Sequence, residues 1–182
     1  LEYIKSCIKN DSRTKIILND KNRGVAFSRN KAISAAQGKY IAFLDCDDYW
    51  EANKIEVQMN FMLTHGYDFS YTTYRVINSD GKIVDKIKAR KKLEYNELLK
   101  SCDIGLSSVI LKRKLLNNMK FPELKTKEDF VLWLGLAKKS VNLAGLDKPL
   151  MFWRQTSNSL SSSTLQKLKD AFKVYYLYEK KN

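Results

Sequence analysis

Three carboxylates, Asp45, Asp47 and Asp48, stand at the end of the apolar run Tyr40-Ile41-Ala42-Phe43-Leu44, and two more, Glu128 and Asp129, precede the run Phe130-Val131-Leu132-Trp133-Leu134. In open α/β sheets ligands gather beyond the carboxyl ends of strands, so acids that emerge from a buried strand are placed for chemistry. Alternation along extended backbone sends Asp45 and Asp47 to the same side. One can then reach a ribose or a water while the other ligates a hard divalent cation, Mg2+ or Mn2+, through oxygen. Such a cation bridges a diphosphate and stabilises the charge that develops on it. A rival reading gives Asp47 or Asp48 only the task of capping a helix that starts near Glu51, where carboxylates are favoured.

The elements that must hold these acids follow from periodicity. Residues 13–18 form a β-prone run, residues 19–24 are dense in turn formers, and Ala26, Ile33 and Ala36 recur at helical spacing over 25–37 before Gly38 supplies a stop. Residues 39–44 are a continuous apolar strand of the kind buried on both faces, which predicts a right-handed βαβ unit. Ile55, Met59, Met62 and Leu63 mark one face of the next helix, which ends near His65-Gly66. An alternating strand over 68–77 runs into an Asn78-Ser79-Asp80-Gly81 turn. Further on lie a short helix over 94–100, a strand near 107–111, a helix over 128–138, an extended segment to Trp153, a Ser-rich loop over 157–163 and a closing helix from Thr164. The expected class is α/β, with a mixed sheet flanked by helices.

Length and composition bound the rest. With 182 residues, 44% of them hydrophobic, the chain is expected to form a single domain over 1–182. Its opening, Leu1-Glu2-Tyr3-Ile4-Lys5, reads as the middle of an amphipathic helix, so the sequence is expected to be excised from something longer. No apolar run reaches the roughly 20 residues that span a bilayer. Cys7, Cys46 and Cys102 are odd in number and widely separated, which fits neither a disulfide framework nor a zinc site and points to a cytoplasmic location. Lys and Arg number 33 against 20 Asp and Glu, a net +13 that favours anionic partners: nucleic acid, an anionic inner-leaflet surface or a diphosphate substrate.

The stretch Asn22-Arg23-Gly24-Val25-Ala26-Phe27-Ser28-Arg29-Asn30-Lys31-Ala32, followed by Ala36-Gln37-Gly38-Lys39-Tyr40-Ile41-Ala42-Phe43-Leu44-Asp45-Cys46-Asp47-Asp48-Tyr49-Trp50, closely resembles the signature of family 2 glycosyltransferases. That resemblance implies a GT-A fold, a nucleotide-sugar donor, a divalent metal and inversion at the anomeric carbon. It assigns Asp45 and Asp47 to the family's Asp-x-Asp motif at the metal and places Asn22, Gly24 and Arg29 on the nucleotide-sugar side. By spacing alone, Arg29 reads as a solvated helix residue.

Lys127-Glu128-Asp129-Phe130-Val131-Leu132-Trp133-Leu134 resembles the family's second signature, in which the second acid is the catalytic base. Asp129 then accepts the proton of the acceptor hydroxyl, a contribution on the order of 10² to 10⁴ in rate; the rival reading makes both acids ordinary first-turn residues. Trp153-Arg154-Gln155-Thr156-Ser157-Asn158-Ser159-Leu160-Ser161 resembles a third segment, which puts Arg154 against the diphosphate. Thr156 stands where many relatives carry His, and Gly135 where they often carry Arg. The family's first strands, which hold the nucleobase, have no counterpart ahead of Leu1, so the sheet is expected to show an unpaired edge.

The resemblance further implies transfer of a hexose or N-acetylhexosamine from a UDP-sugar to a glycan or lipid-linked glycan of the lipopolysaccharide or capsule type, at the inner face of the membrane. Lys86, Lys88, Arg90, Lys91 and Lys92 form a basic patch suited to anionic lipid. In the last helix Leu165, Leu168, Phe172 and Tyr175 share one face, expected to pack on the domain, with interfacial membrane contact as the second reading. Two rivals stand against glycosyl transfer. An Asp-x-Asp phosphohydrolase expects Thr or Val two residues past the second Asp, where Tyr49 stands, and has no use for the 22–30 segment. A basic nucleic-acid-binding domain has charge in its favour but no groove-reading motif, and nucleic acid is not an expected partner.

Overall fold

The computed structural model describes residues 2–8, 11–155 and 164–180. In chain order the elements are Glu2–Ile8 (α1), Val25–Ala35 (α2), Tyr40–Ala42 (β1), Tyr49–Trp50 (β2), Lys54–His65 (α3), Phe69–Ile77 (β3), Ile83–Ile87 (β4), Lys92–Leu93 (β5), Tyr95–Lys100 (α4), Ile110–Lys112 (β6), Glu128–Lys138 (α5), Leu143–Arg154 (β7) and Thr164–Lys173 (α6). The strands form one mixed sheet ordered β1-β6-β3-β7-β2, with β4 beside β3 and β5 beside β7. Thr156 and the Ser-rich stretch 157–163 lie outside the described residues.

β3 and β7 pair in parallel and make the sheet's spine. The register shifts on both sides of Thr73, which lies opposite Pro149. A proline cannot donate to the ladder, so it sits at an irregularity. The Thr73 hydroxyl donates to Asp147 Oδ1 at 2.8 Å and accepts the Ala89 N–H at 2.9 Å. At Gly145 a Cβ atom would lie 1.9 Å from the carbonyl oxygen of Arg90, so only glycine lets the segment leading into β5 come this close. Over this spine α5 buries Trp133, whose ring meets Phe69 edge-on at 5.2 Å.

The 39–44 run is shorter and less enclosed than its composition predicts. β1 has three residues, antiparallel to β6; Ile41 and Phe43 are buried whereas Leu44 is half exposed. β1 ends the sheet, and no strand pairs with its outer edge among the described residues, as expected of an unpaired edge. The expected strand at 13–18 does not form, and with it the βαβ unit fails to close. Its backbone has no ladder partner, and an extended run without one stays irregular.

α3 buries a different face from the one its apolar residues predict. Lys54, Gln58 and Met62 point inward, whereas Ile55 and Leu63 are exposed. Hydrogen bonding decides the rotation. The Gln58 amide donates to Ser70 O, Ser70 Oγ and Ser108 O, and Lys54 Nζ donates to Gln58 Oε1 at 2.8 Å while lying 4.3 Å from the Trp50 ring. These polar groups are buried because they are satisfied together.

The same logic turns α6. Its inward residues are Asp170 and Val174, the latter in the turn Val174–Tyr178 that prolongs the helix. Asp170 Oδ2 accepts the N–H and the hydroxyl of Thr126, each at 3.0 Å, and the Gln166 amide at 2.9 Å. Packing of the apolar face on the domain is therefore not what is found: Leu165, Leu168 and Phe172 are 63%, 63% and 67% exposed. Tyr175 alone of the expected set is partly buried, its hydroxyl donating to Leu99 O.

Candidate functional site

The end of β1, the end of β7 and the starts of α2 and α5 meet around a cleft of about 450 Å³. Arg29, Asp45, Asp47, Asp129 and Arg154 all line it, so residues up to 125 positions apart in sequence are brought to one place as their motifs predict. Asn22 and Gly24 do not line this cleft. They border a neighbouring cavity and shape the turn into α2: Gly24 holds a φ of 81° that favours glycine, and its N–H is accepted by Asn22 Oδ1 at 3.0 Å.

Arg29 is not a solvated helix residue. Its Nη2 donates to both carboxylate oxygens of Asp45, at 2.7 and 2.9 Å, and its Nη1 pairs with Glu128. The side chain is 15% exposed and lies 5.7 Å from the Phe121 ring. Next to it Asn30 fixes Phe121 from both sides, donating to its carbonyl and accepting its N–H. The planar guanidinium suits this arrangement, since its two arms hold two carboxylates in fixed directions by charge-assisted bonds.

Asp48 does not cap the following helix. That helix begins at Lys54 with no side-chain cap, and Asp48 Oδ1 instead accepts the Arg154 N–H at 3.0 Å. Burial pushes its carboxyl up to about 6, against the opposing effect of hydrogen bonds from Ser107 and Arg154. The Ser107 hydroxyl also accepts the Asp45 N–H at 3.1 Å, and its carbonyl accepts the Trp50 indole N–H at 2.7 Å. Arg154 Nε donates to the Asp47 carbonyl at 3.2 Å. The acidic turn is thus held by β7 and by residue 107, leaving the Asp47 side chain exposed to the cleft.

Asp129 sits in the first turn of α5, behind Lys127, whose φ of 64° is left-handed. Its Oδ1 accepts the Phe130 N–H at 2.8 Å, so it does serve the helix N-terminus as the rival reading has it. It does more than that: burial first, then the charge of Glu128, push its carboxyl up to about 7, while Arg29 opposes the rise. A carboxylate so tuned is matched to proton transfer near neutrality.

Ser107 is a site residue that sequence reasoning passes over, and Glu128, read there only as the first acid of its pair, is given no partner by it. The signals are through-space contacts, Ser107 with Asp45 and Asp48 and Glu128 with Arg29. Among the described residues no three Asp, Glu, His or Cys side chains converge as ligands. Asp45 is held by Arg29, which leaves the exposed Asp47 carboxylate as the foremost oxygen donor. One or two carboxylates completed by substrate phosphate is how Mg2+ is commonly bound, so the residues fit.

The 86–92 basic patch is largely neutralised. Lys88 pairs with Asp147, Arg90 with Asp103 and Lys92 with Glu94. No helix among the described residues is long and apolar enough to cross a membrane.

The family described as glycosyl transferase family 2 matches residues 1–124. The chain is 41% identical over 166 residues to the UDP-Glc:alpha-D-GlcNAc-diphosphoundecaprenol beta-1,3-glucosyltransferase WfgD of Escherichia coli, covering 90% of this chain and 64% of that protein. It is 37% identical over 158 residues to WfaP of Escherichia coli, which bears the same description, covering 87% and 62%. The chain therefore spans less than two thirds of the length of these two relatives. Among solved structures it resembles S. aureus TarS 1-349 in complex with UDP-GlcNAc, with a TM-score of 0.69 at 21% identity, covering 89% of this chain and 48% of that one. This likeness shows the fold, the helix-flanked mixed sheet of the GT-A class.

Proposed function

Because the chain belongs to glycosyl transferase family 2, we propose that its cleft binds a UDP-sugar and transfers the hexose or N-acetylhexosamine, with inversion, to a hydroxyl of a glycan acceptor. The observation that carries this reading is the placement of Asp129, tuned to about 7, in the same cleft as Asp45 and Asp47. Asp129 accepts the acceptor's hydroxyl proton as that oxygen attacks the anomeric carbon. The bond from that carbon to the diphosphate breaks on the opposite face, and the diphosphate leaves with the electron pair.

Arg29 keeps Asp45 and Glu128 fixed, so the donor-side acid and the base-bearing turn hold one geometry. Arg154 stands on the diphosphate side, with its backbone anchored to Asp48. A divalent cation, Mg2+ or Mn2+, supplies electrostatic stabilisation of the departing diphosphate when bound; Asp47, with Asp45 across Cys46, would hold it. Asn22 and Gly24 act on the donor indirectly, by setting the turn from which α2 projects Arg29.

WfgD and WfaP are named for a UDP-Glc donor and a diphosphoundecaprenol-linked acceptor, which supports a lipid-linked acceptor here; surface-polysaccharide synthesis at the inner face of the membrane belongs to the same reading. Neither rival has comparable support. The test is a donor panel with Mn2+ on the intact gene product, comparing wild type with Asp129→Asn and Asp47→Ala. Asp129→Asn should abolish transfer yet keep donor binding, and Asp47→Ala should lose metal-dependent binding. Full transfer by Asp129→Asn would sink the base assignment.

A further inference from the structure

α6 is an amphipathic helix mounted backwards. Its polar residue Asp170 points inward, and Leu165, Leu168 and Phe172 form a stripe facing out, extended by Tyr176, whose ring stacks on Phe172 at 5.5 Å. Exposed apolar stripes of this kind mark binding surfaces rather than core. Between this helix and the 123–125 segment runs a groove of about 790 Å³. Leu168 and Phe172 give it an apolar wall, Lys125, Lys169 and Lys173 give it positive charge, and Glu123 is its one exposed carboxylate. An occupant that satisfies both walls is an amphiphile with an apolar chain and an anionic head.

The groove adjoins the reaction cleft. Lys125 lines both cavities, and the bonds from Thr126 to Asp170 tie the groove's floor to the segment that leads into Asp129. A head group held at Lys125 therefore lies at the mouth of the cleft that contains the base. We propose that this groove is the subsite for the lipid diphosphate that carries the acceptor sugar, with the isoprenoid chain along Leu168 and Phe172 and the diphosphate at Lys125, Lys169 and Lys173. The proposal rests on the lipid-linked reading of the acceptor and assigns that lipid a place. A bilayer surface alone would use the whole outward stripe; here two of its residues, Leu168 and Phe172, share one groove with the lysines, next to the cleft.

The intact gene product should be titrated calorimetrically with farnesyl diphosphate, inorganic pyrophosphate and phosphatidylglycerol vesicles. Farnesyl diphosphate should bind at least about tenfold tighter than pyrophosphate, because only it covers the apolar wall. Leu168→Ser with Phe172→Ser, both at exposed positions, should remove about that tenfold advantage and leave UDP binding unchanged. Equal affinity for the two diphosphates, or an unaltered double variant, overturns the proposal. Vesicle binding without farnesyl diphosphate binding overturns it too, and assigns α6 to the membrane surface. UDP titrated in parallel reports on the donor site, so failure of that reading appears as lost UDP binding and failure of this one as unchanged farnesyl diphosphate affinity.

Discussion

Arg29 and Asp45 form a two-point ion pair, with Nη2 at 2.7 and 2.9 Å from the two carboxylate oxygens, while the other arm of the same guanidinium holds Glu128. One side chain therefore joins the end of β1 to the start of α5, and the acids on either side of the cleft are spaced by it.

Removing that side chain should damage the fold as well as the site. Arg29→Met leaves Glu128, 9% exposed at its side chain, without its cation. Losing one partner of a buried pair costs about 3–5 kcal/mol, and urea denaturation should show a loss of that order. Arg29→Lys restores the charge but not the fork, so it should recover only part of the stability. A fully stable lysine variant would refute the two-point clamp.

With Asp129 as the proposed base, the pH dependence of transfer should follow its titration. A base works only when ionised, and this carboxyl titrates near 7, so kcat/KM should fall as pH drops below about 7 and level off above it. Glu128 is a like charge that raises Asp129, so Glu128→Gln should move the limb to lower pH. A limb that stays in place in that variant would show that the Glu128 charge does not act on the base.

Lys54 gives a pH dependence of a different kind, in stability. It is fully buried, and burial lowers its ammonium to about 7 from the ordinary lysine value of 10.5. Between those two values the unfolded chain binds the extra proton, so this residue makes stability rise with pH across that window. Lys54→Met should therefore be most favourable relative to wild type near pH 7 and least favourable near pH 10, by a margin of several kcal/mol. Chemical denaturation at the two pH values decides it; a difference independent of pH would mean that Lys54 stays charged.

Gly145→Ala should be among the most disruptive single methyl additions. The new Cβ would sit 1.9 Å from a backbone oxygen, which no rotamer change relieves. A loss of at least about 3 kcal/mol is expected in thermal or chemical denaturation, at the upper end of overpacking effects.

The parts of this molecule that sequence made legible are those governed by apolar periodicity or by position at a strand end. The helix over Glu128–Lys138 and the strand Phe69–Ile77 lie where their composition places them, although that strand is buried almost throughout instead of alternating, and Asp45, Asp47, Asp129 and Arg154 share one cleft because each lies at or just past the end of an element. What was illegible depended on partners distant in sequence. α3 turns Lys54 and Gln58 inward because Ser70 and Ser108 accept from the Gln58 amide there, and α6 turns Asp170 inward because Thr126 donates to it. No window of local hydrophobicity contains those bonds. The run at 13–18 has strand composition, yet composition cannot supply the neighbour that a ladder requires.

β7 is bonded to β3 along one edge, and to β5 and β2 near the two ends of the other. Its final residues carry the wall of the cleft that includes Arg154 and Met151. Amide protons along it will be among the last to exchange, since opening it means breaking three pairings at once. In the proposed reaction this wall is the fixed side of the cleft, and product release is left to the side chains and loops at its mouth.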